Sequence, residues 1–426
     1  MKLFHISDLH IGLRIHNRDM KEDQAYILSQ IADRAAEEQP DAILIAGDIY
    51  DKAVPSADAA ELFDDFVTKL SEGAPGSEIM MISGNHDSGV RLDTFRNILK
   101  HHRIHMVGTP PQRPDEHIEK VILTDEYGDV NFYLLPFVRP SMIRMITGAL
   151  SDEVAESEFT EENDSEDDSS KRSHSVSYDE ALHILTDRED IDQSKRNVLV
   201  SHQFYLPAGS DGSDIERMDS ERVTVGNIDA VSADVLEKFD YAALGHIHKP
   251  MCAGSEYYRY CGTPLACSVS EAEQEKAIII AELKEKHCKK DDGTADVPVS
   301  DNDYNSKNKC DIEITTIPLV PLRQVRVIRG TSMEVLSHAC DDYVSVTLTD
   351  EEDIDVIDIQ DRLRNAFPNL LEVKREGIKT ADYSAKIMQD KELDPFSLCK
   401  AFIGDMDDDE ISILSDVINV VQEVSE

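Results

Sequence analysis

The chain contains no tryptophan, only seven cysteines, and half as many basic residues as acidic ones, 43 against 86. Each scarcity excludes something. The cysteines are odd in number, irregularly spaced and without a CxxC pair, which argues against a disulfide framework and for a reducing compartment, the cytoplasm. Apolar runs such as AIIIAEL fall far short of the eighteen or so residues of a membrane span, and MKLFHISD has no apolar signal core, so the chain reads as neither inserted nor exported. A formal charge of -43 speaks against a polyanionic partner, because phosphate binding is driven by Lys and Arg displacing counterions. The acids are unevenly spread, however: residues 151–170 hold ten acids and no base, and residues 341–426 hold 23 acids against 8 bases.

With 426 residues, 40% of them hydrophobic, the chain is too long for one core and suggests a large α/β domain with smaller attachments. Short β-type runs alternate with helical patterns: KLFHIS, a helix through Ala25, Leu28, Ile31, Ala32 and Ala35, DAILIAG, a helix near 57–71, then EIMMIS, with later strands at VNFYLLP, RNVLVSH, DYAALG and KAIIIAEL. That alternation predicts one domain over 1–283, interrupted by a disordered acidic insertion at 151–178. Residues 284–311 read as a polar linker or long loop. A smaller α+β unit follows over 312–380, and a tail over 385–426 carries helical apolar stripes suited to docking on a partner.

Five β-type runs end in residues able to ligate a metal: Asp8 and His10, Asp48, Asn85 with His86 and Asp87, His202, and His246 with His248. In open α/β sheets the carboxyl ends of strands form the ligand crevice, so these residues can converge. Asp8/His10 and His246/His248 are two apart, which in extended chain puts each pair on one face, able to grip one ion. Two carboxylates, one amide oxygen and four imidazoles form a mixed N/O set for borderline divalent ions rather than soft-metal thiolate chemistry. Seven donors suit two ions sharing a bridge, and Asp48, alone at its strand end and with two oxygens, is the natural bridging residue. Two ions roughly 3.5–4 Å apart support in-line displacement at phosphorus, so the reaction class is phosphoester hydrolysis.

The blocks DLH, GDIYD, GNHD, the SH of VLVSH and GHIH resemble, in order, those of the calcineurin-like metallophosphoesterases, and imply their sandwich of mixed sheets flanked by helices. LPFVRP (135–140), SERVTVGNIDAV (220–231), FDYAALGHIHKP (239–250) and YCGTPLACSVSEAEQEKAIIIAEL (260–283) are similar to the bacterial SbcD family of nuclease subunits. PLRQVRVIRG and YVSVTLTDEE resemble that family's capping domain, and DPFSLCKAF its C-terminal segment. The resemblance implies that Asp8, His10, Asp48 and His248 hold one ion and Asp48, Asn85, His202 and His246 the other, with manganese as the working metal. His86 would face the scissile phosphate, kept protonated by a carboxylate neighbour for which Asp51 is the candidate. Also implied are 3'-to-5' exonuclease action on duplex DNA, hairpin cleavage, a coiled-coil ATPase partner of the SbcC type bound by the tail, and a homodimer within a heterotetramer. The dimer would form through helices near 58–71 and 90–101, whose apolar faces carry Leu62, Phe63 and Phe66, and Phe95, Ile98 and Leu99.

His5, His16 and the trio His101, His102 and His105 are read as packing or surface residues, because other side chains already complete both shells. Cys252, Cys261 and Cys267 lack zinc-knuckle spacing and are read as reduced and structural. Arg14, Arg18, Lys52, Arg139 and Arg144 are candidates for DNA-backbone contact, against the alternative of scattered surface bases. The rival function is a small-molecule or protein phosphoesterase on the same fold; GNHD in place of the GNHE usual in protein phosphatases, together with the second domain and tail, counts against it.

Overall fold

DAILIAG is apolar at every strand position because it is buried on both faces. Ala42, Leu44 and Ala46 pack between two sheets, while Ile43 and Ile45 pack against helices on the outside. The computed structural model describes residues 1–148, 176–207, 229–288, 308–350 and 356–376, together with residues 210, 218, 221, 411, 414, 415 and 418. The first six-stranded sheet runs, in spatial order, Asn308–Pro318, Ala277–Cys288, Lys2–Ile6, Ala42–Ala46, Glu78–Ile82 and Ile104–Val107, the last four strands being parallel. The second runs Met251–Cys252, Tyr258–Tyr260, Tyr241–Gly245, Arg196–His202, Gly128–Leu135 and Glu119–Asp125, with four parallel inner strands and an antiparallel strand at each edge.

Side chains from the facing surfaces of the sheets, among them Leu44, Met80, Ile82, Phe132, Leu134, Val198, Val200, Tyr241 and Ala243, make one core. Helices Lys21–Glu38 and Ala57–Gly73 cover the outer face of the first sheet through Ile27, Leu28, Ile31, Phe63, Phe66 and Leu70. Helix Tyr178–Asp187 covers the second through Ala181, Leu182 and Leu185; its Ser177/Glu180 capping box fixes where it starts. Phe63 and Phe66 are therefore spent on the internal core, contrary to their expected place on a dimer face. The segment after His86 breaks into two single turns, Gly89–Leu92 and Arg96–Leu99, that leave Phe95 and Ile98 69% and 58% exposed.

The smaller unit alternates strand and helix: Val325–Gly330, Ser332–Leu336, Tyr343–Leu348, Val356–Ala366 and Leu370–Arg375, with its three strands parallel. Its core is Val335, Val344, Val346, Leu348, Ile359, Leu363 and Phe367. Leu319, Val325 and Tyr343 join the core around Ile27 and Ile31, so this unit packs on helix Lys21–Glu38.

The boundary expected at residue 283 shifts. Strand Ala277–Cys288 runs past it, and Asn308–Pro318 returns antiparallel beside it, so 284–288 and 308–318 belong to the first sheet. A polar composition concealed them because this hairpin forms the sheet edge, where one row of side chains meets water; Lys286 meets Asp240 at 2.8 Å. The remainder of the expected linker (289–307), residues 149–175 of the acidic insertion, and the tail apart from 411, 414, 415 and 418 lie outside the described residues. Among the described residues no helix is long and apolar enough to cross a membrane, and Cys252, Cys261, Cys267, Cys310 and Cys340 are free thiols.

Arg196, 1% exposed, pins the second sheet to the first: it bonds both oxygens of Asp125 as well as the carbonyls of Gly128, Leu283 and Lys284. Burial opposes the Asp125 charge, but Arg196 outweighs it and holds the carboxyl well below the usual range. Its stabilisation is thus fully present above the unfolded carboxyl pKa and lost as pH falls through the lower folded value. Asp125→Asn, which strands a buried guanidinium, should cost about 3 kcal/mol in urea unfolding at neutral pH, and the deficit against the parent should narrow in acid.

Candidate metal centre

The proposed ligands leave the carboxyl ends of five parallel strands, three in one sheet and two in the other. Asp8 and His10 follow Lys2–Ile6, Asp48 follows Ala42–Ala46, and Asn85 and His86 follow Glu78–Ile82. His202 ends Arg196–His202, and His246 and His248 follow Tyr241–Gly245. The pairs two residues apart are not extended, as periodicity implied. Asp8, His10, Asp48 and His246 have φ of 52°, 42°, 47° and 100°, a left-handed region that L side chains enter only when surroundings over-determine it. Tight turns, not pleating, aim these side chains. Gly47 (φ 89°) and Gly84 make room: a Cβ at Gly47 would strike the His202 ring, and one at Gly84 the Asp48 carboxylate. Asp87 accepts from the amides of Ile49, Tyr50 and Gly84 at 2.9–3.0 Å, tying the two ligand loops together.

All seven candidates are buried. Asp8, His10 and His248 bring donor atoms within 4.8 Å of one another, as do Asp8, Asp48 and His202. Nε2 of His10 lies 3.1 Å from Nε2 of His248, and Oδ1 of Asn85 lies 3.1 Å from Nε2 of His202 and 2.9 Å from Nδ1 of His246. His246 and His248 therefore face different halves of the centre rather than gripping one ion together. Between the halves sits Asp48, its Oδ2 3.3 Å from His202 and 3.7 Å from His10. Its Oδ1 accepts from the His86 amide at 2.8 Å.

The His86 ring lies edge-on to His10, centroids 4.8 Å apart, and Nδ1 donates to the main-chain carbonyl of Asp51 at 2.9 Å. The orienting contact from Asp51 thus comes from its backbone; its carboxylate is 3.9 Å from Nδ1 of His10. A carbonyl fixes the tautomer of His86 without supplying a full counter-charge.

Sequence reasoning missed the groups behind the ligands. Nδ1 of His202 donates to Ala46 O at 2.7 Å and Nδ1 of His248 to Glu271 at 3.2 Å, which leaves Nε2 of each facing the centre. Glu271, fully buried, is held by Lys276 at 2.6 Å and Thr263 at 2.9 Å. The only trace in sequence is a run of acids before one lysine, SEAEQEK, ordinary for a surface turn. Phe137 stacks on His246 (centroids 6.1 Å apart) and carries the Arg139 guanidinium 5.7 Å over its ring. Arg14 and Arg18 sit on the small hairpin after His10, Lys52 follows Asp51, and Arg144 is exposed beyond Arg139. His5 is buried against Tyr241 OH at 3.0 Å, as a packing residue should be, and burial pushes it down to about 3.

The electrostatics are those of a cation site. Burial opposes charge on every group, yet Asp48 stays well below the usual carboxylate range because His202, His86 and His10 surround it. His202 is pushed up to about 9, its burial outweighed by Asp48 and Asp8. Burial drives His10 well below the imidazole range and raises Asp8. Lone-pair atoms facing one another at about 3 Å, around two buried carboxylates, fit a pair of divalent cations. Residues 1–250 match the family model of calcineurin-like phosphoesterase. The chain belongs to that family. Its members are metal-dependent phosphoester hydrolases built on a dimetal centre.

Residues 321–406 match the model for the SbcD C-terminal domain, described as the type 5 capsule protein repressor C-terminal domain. The two matches in this order support an SbcD-type nuclease. Solved structures similar to the chain include phosphopantetheinyl hydrolase (PptH) from Mycobacterium tuberculosis, 14% identical over 62% of this chain and 90% of that one with a TM-score of 0.33. A dimetal phosphatase from Danio rerio is 15% identical over 66% and 92%, with a TM-score of 0.37.

Titration calorimetry with Mn2+ tests the centre. Asp48→Ala should abolish tight binding of both ions, whereas Glu271→Gln, which leaves every proposed ligand in place, should weaken binding roughly 10- to 100-fold.

Proposed function

We propose that this chain is the nuclease subunit of an SbcCD-type complex, hydrolysing DNA phosphodiester bonds with two divalent cations, manganese being the working metal. In this reading Asp8, His10, Asp48 and His248 hold one ion, and Asp48, Asn85, His202 and His246 the other. When bound, the pair supplies water activation and charge neutralisation at phosphorus. The protein does the rest. Ala46 O and Glu271 hold the rings of His202 and His248, and Asp48 carries the His86 loop on its second oxygen. His86, its Nδ1 proton engaged by Asp51 O, has Nε2 free to stabilise charge on the scissile phosphate or protonate the leaving oxygen.

One observation favours DNA over small monoesters. Most described bases of this acidic chain pair with a carboxylate, and among the described bases with none within 4.0 Å are Arg14, Arg18, Lys52, Arg91, Arg139 and Arg144. Arg14, Arg18, Lys52 and Arg91 lie on segments leaving strand ends that carry the proposed ligands, and Arg139 and Arg144 follow the neighbouring parallel strand Gly128–Leu135. Cations kept unpaired beside a metal centre suit a polyphosphate backbone running across it. The wider reading follows the SbcD likeness: ATP-dependent 3'-to-5' exonuclease and hairpin endonuclease activity in DNA repair, recombination and replication, with a coiled-coil ATPase of the SbcC type as partner in the cytoplasm. A homodimer is supported by the exposed Phe95 and Ile98 beside a groove of about 600 Å³ lined by Tyr50, Phe63, Val67, Leu92 and Leu99.

With Mn2+, the complex with its ATPase should cleave hairpin and duplex DNA. His86→Gln should lower the rate roughly 10²- to 10⁴-fold while Mn2+ binding persists. Strong turnover of nucleotide monoesters with none of DNA would instead favour the phosphatase alternative. Arg139→Ala should reduce the slope of log affinity against log salt by about 1.

A further inference from the structure

Helix Lys21–Glu38 meets both the metal-ligand loop and the smaller C-terminal unit, and it does so with adjacent residues. Gln24, 3% exposed, points its amide into the Leu9–Gly12 loop: Nε2 donates to His10 O at 2.6 Å and Oε1 accepts from Gly12 N at 3.0 Å. This is the loop in which Asp8 and His10 hold left-handed φ, so one side chain braces a strained turn bearing two proposed ligands. Asp23, 1% exposed, points the other way. Its Oδ2 accepts from Nη1 of Arg323 at 2.9 Å and from the Tyr343 hydroxyl at 2.7 Å, while Oδ1 has no hydrogen-bond partner among the described residues. A buried carboxylate is thus compensated by groups from the C-terminal unit. Arg323 also bonds Glu22 at 2.8 Å. Two turns along the same face, Gln30 exchanges hydrogen bonds with the amide and carbonyl of Val320 at 2.9 and 3.2 Å.

We propose that the Asp23–Gln24 step is a positioning element, through which docking of the C-terminal unit by Arg323 and Tyr343 holds the Asp8–His10 loop in its metal-binding geometry. The proposal rests on the metal-site reading and adds its control: displacement of the C-terminal unit frees the first turn of the helix, Gln24 loses its register, and the left-handed loop relaxes. Asp23 and Gln24 are not catalytic residues, because neither is placed among the donor atoms.

The experiment uses the full chain with Arg323→Ala and Tyr343→Phe combined, Gln24→Ala alone, and all three together. In metal-free protein, amide hydrogen exchange over residues 8–20 should quicken by roughly fivefold or more in the Arg323/Tyr343 variant and not over the strand Arg196–His202. Mn2+ affinity should fall by about fivefold. Gln24→Ala should reproduce both effects, and adding it to the Arg323/Tyr343 variant should change neither by more than about twofold, since the link is already cut. Exchange and affinity within about twofold of the parent in the Arg323/Tyr343 variant overturn the proposal, as do effects that simply multiply in the triple variant. If the double substitution unfolds the C-terminal unit, Tyr343→Phe, which removes one oxygen, must still quicken exchange over residues 8–20 by about twofold; no change there is equally fatal. Failure of the parent to cut DNA would sink the nuclease reading yet leave the exchange pattern standing.

Discussion

A carboxylate sealed between two sheets at the end of a parallel strand is the constraint from which the rest of this molecule follows. Asp48 is 1% exposed and has a left-handed backbone, and it would be intolerable there if nothing met its charge. What meets it comes from both sheets: His10 from one, His202 from the other, and the His86 amide on the remaining oxygen. The glycines at 47 and 84, the clamp of Asp87 on three amides and the Gly47–Asp8 backbone bond are consequences of packing loops that tightly around one anion. A site of this kind is assembled by the packing of the chain's own loops, the preorganisation on which electrostatic catalysis relies.

The charge balance takes on a different meaning once the fold is known. A chain of net charge -43 is repelled by nucleic acid on average, but average charge does not act at a site. More than half of the net negative charge lies in residues 151–170 and 341–426, remote in sequence from the ligand blocks, and carboxylates neutralise bases such as Lys21, Arg113 and Lys284 locally. Among the described residues, Arg14, Arg18, Lys52 and Arg139 have no carboxylate within 4.0 Å, and Arg139 is held by the face of Phe137, which stacks on His246. A cation placed over an aromatic ring keeps its hydrogen-bonding fork available to a phosphate.

The two-domain arrangement also has a local physical logic. The C-terminal unit has its own small core, yet it lends Val325 and Tyr343 to the core of the larger domain and completes the hydrogen bonding of a helix whose first turn braces the metal-ligand loop. Docking and site geometry therefore share one element. The polar edge hairpin extends the first sheet and offers the Leu283 and Lys284 carbonyls to Arg196, and its polar sequence is accommodated because one side of it meets water.

Much of this was legible from residue order alone. Apolar runs four to six residues long, each ending in Asp, Asn or His, determine that there are parallel strands and that donors collect at their carboxyl ends, because that periodicity and that chemistry are local properties of the chain. The partition of the donors, His248 toward His10 and His246 toward Asn85, was implied by the family resemblance but not legible from periodicity, since residues two apart in a tight turn diverge where in a strand they align. Nor were Glu271 and Lys276 behind His248, the backbone rather than carboxylate contact from Asp51 to His86, or the burial of Phe63 and Phe66. Each depends on which segments, tens to hundreds of residues apart, come to lie against one another, and only the packed sheets decide that.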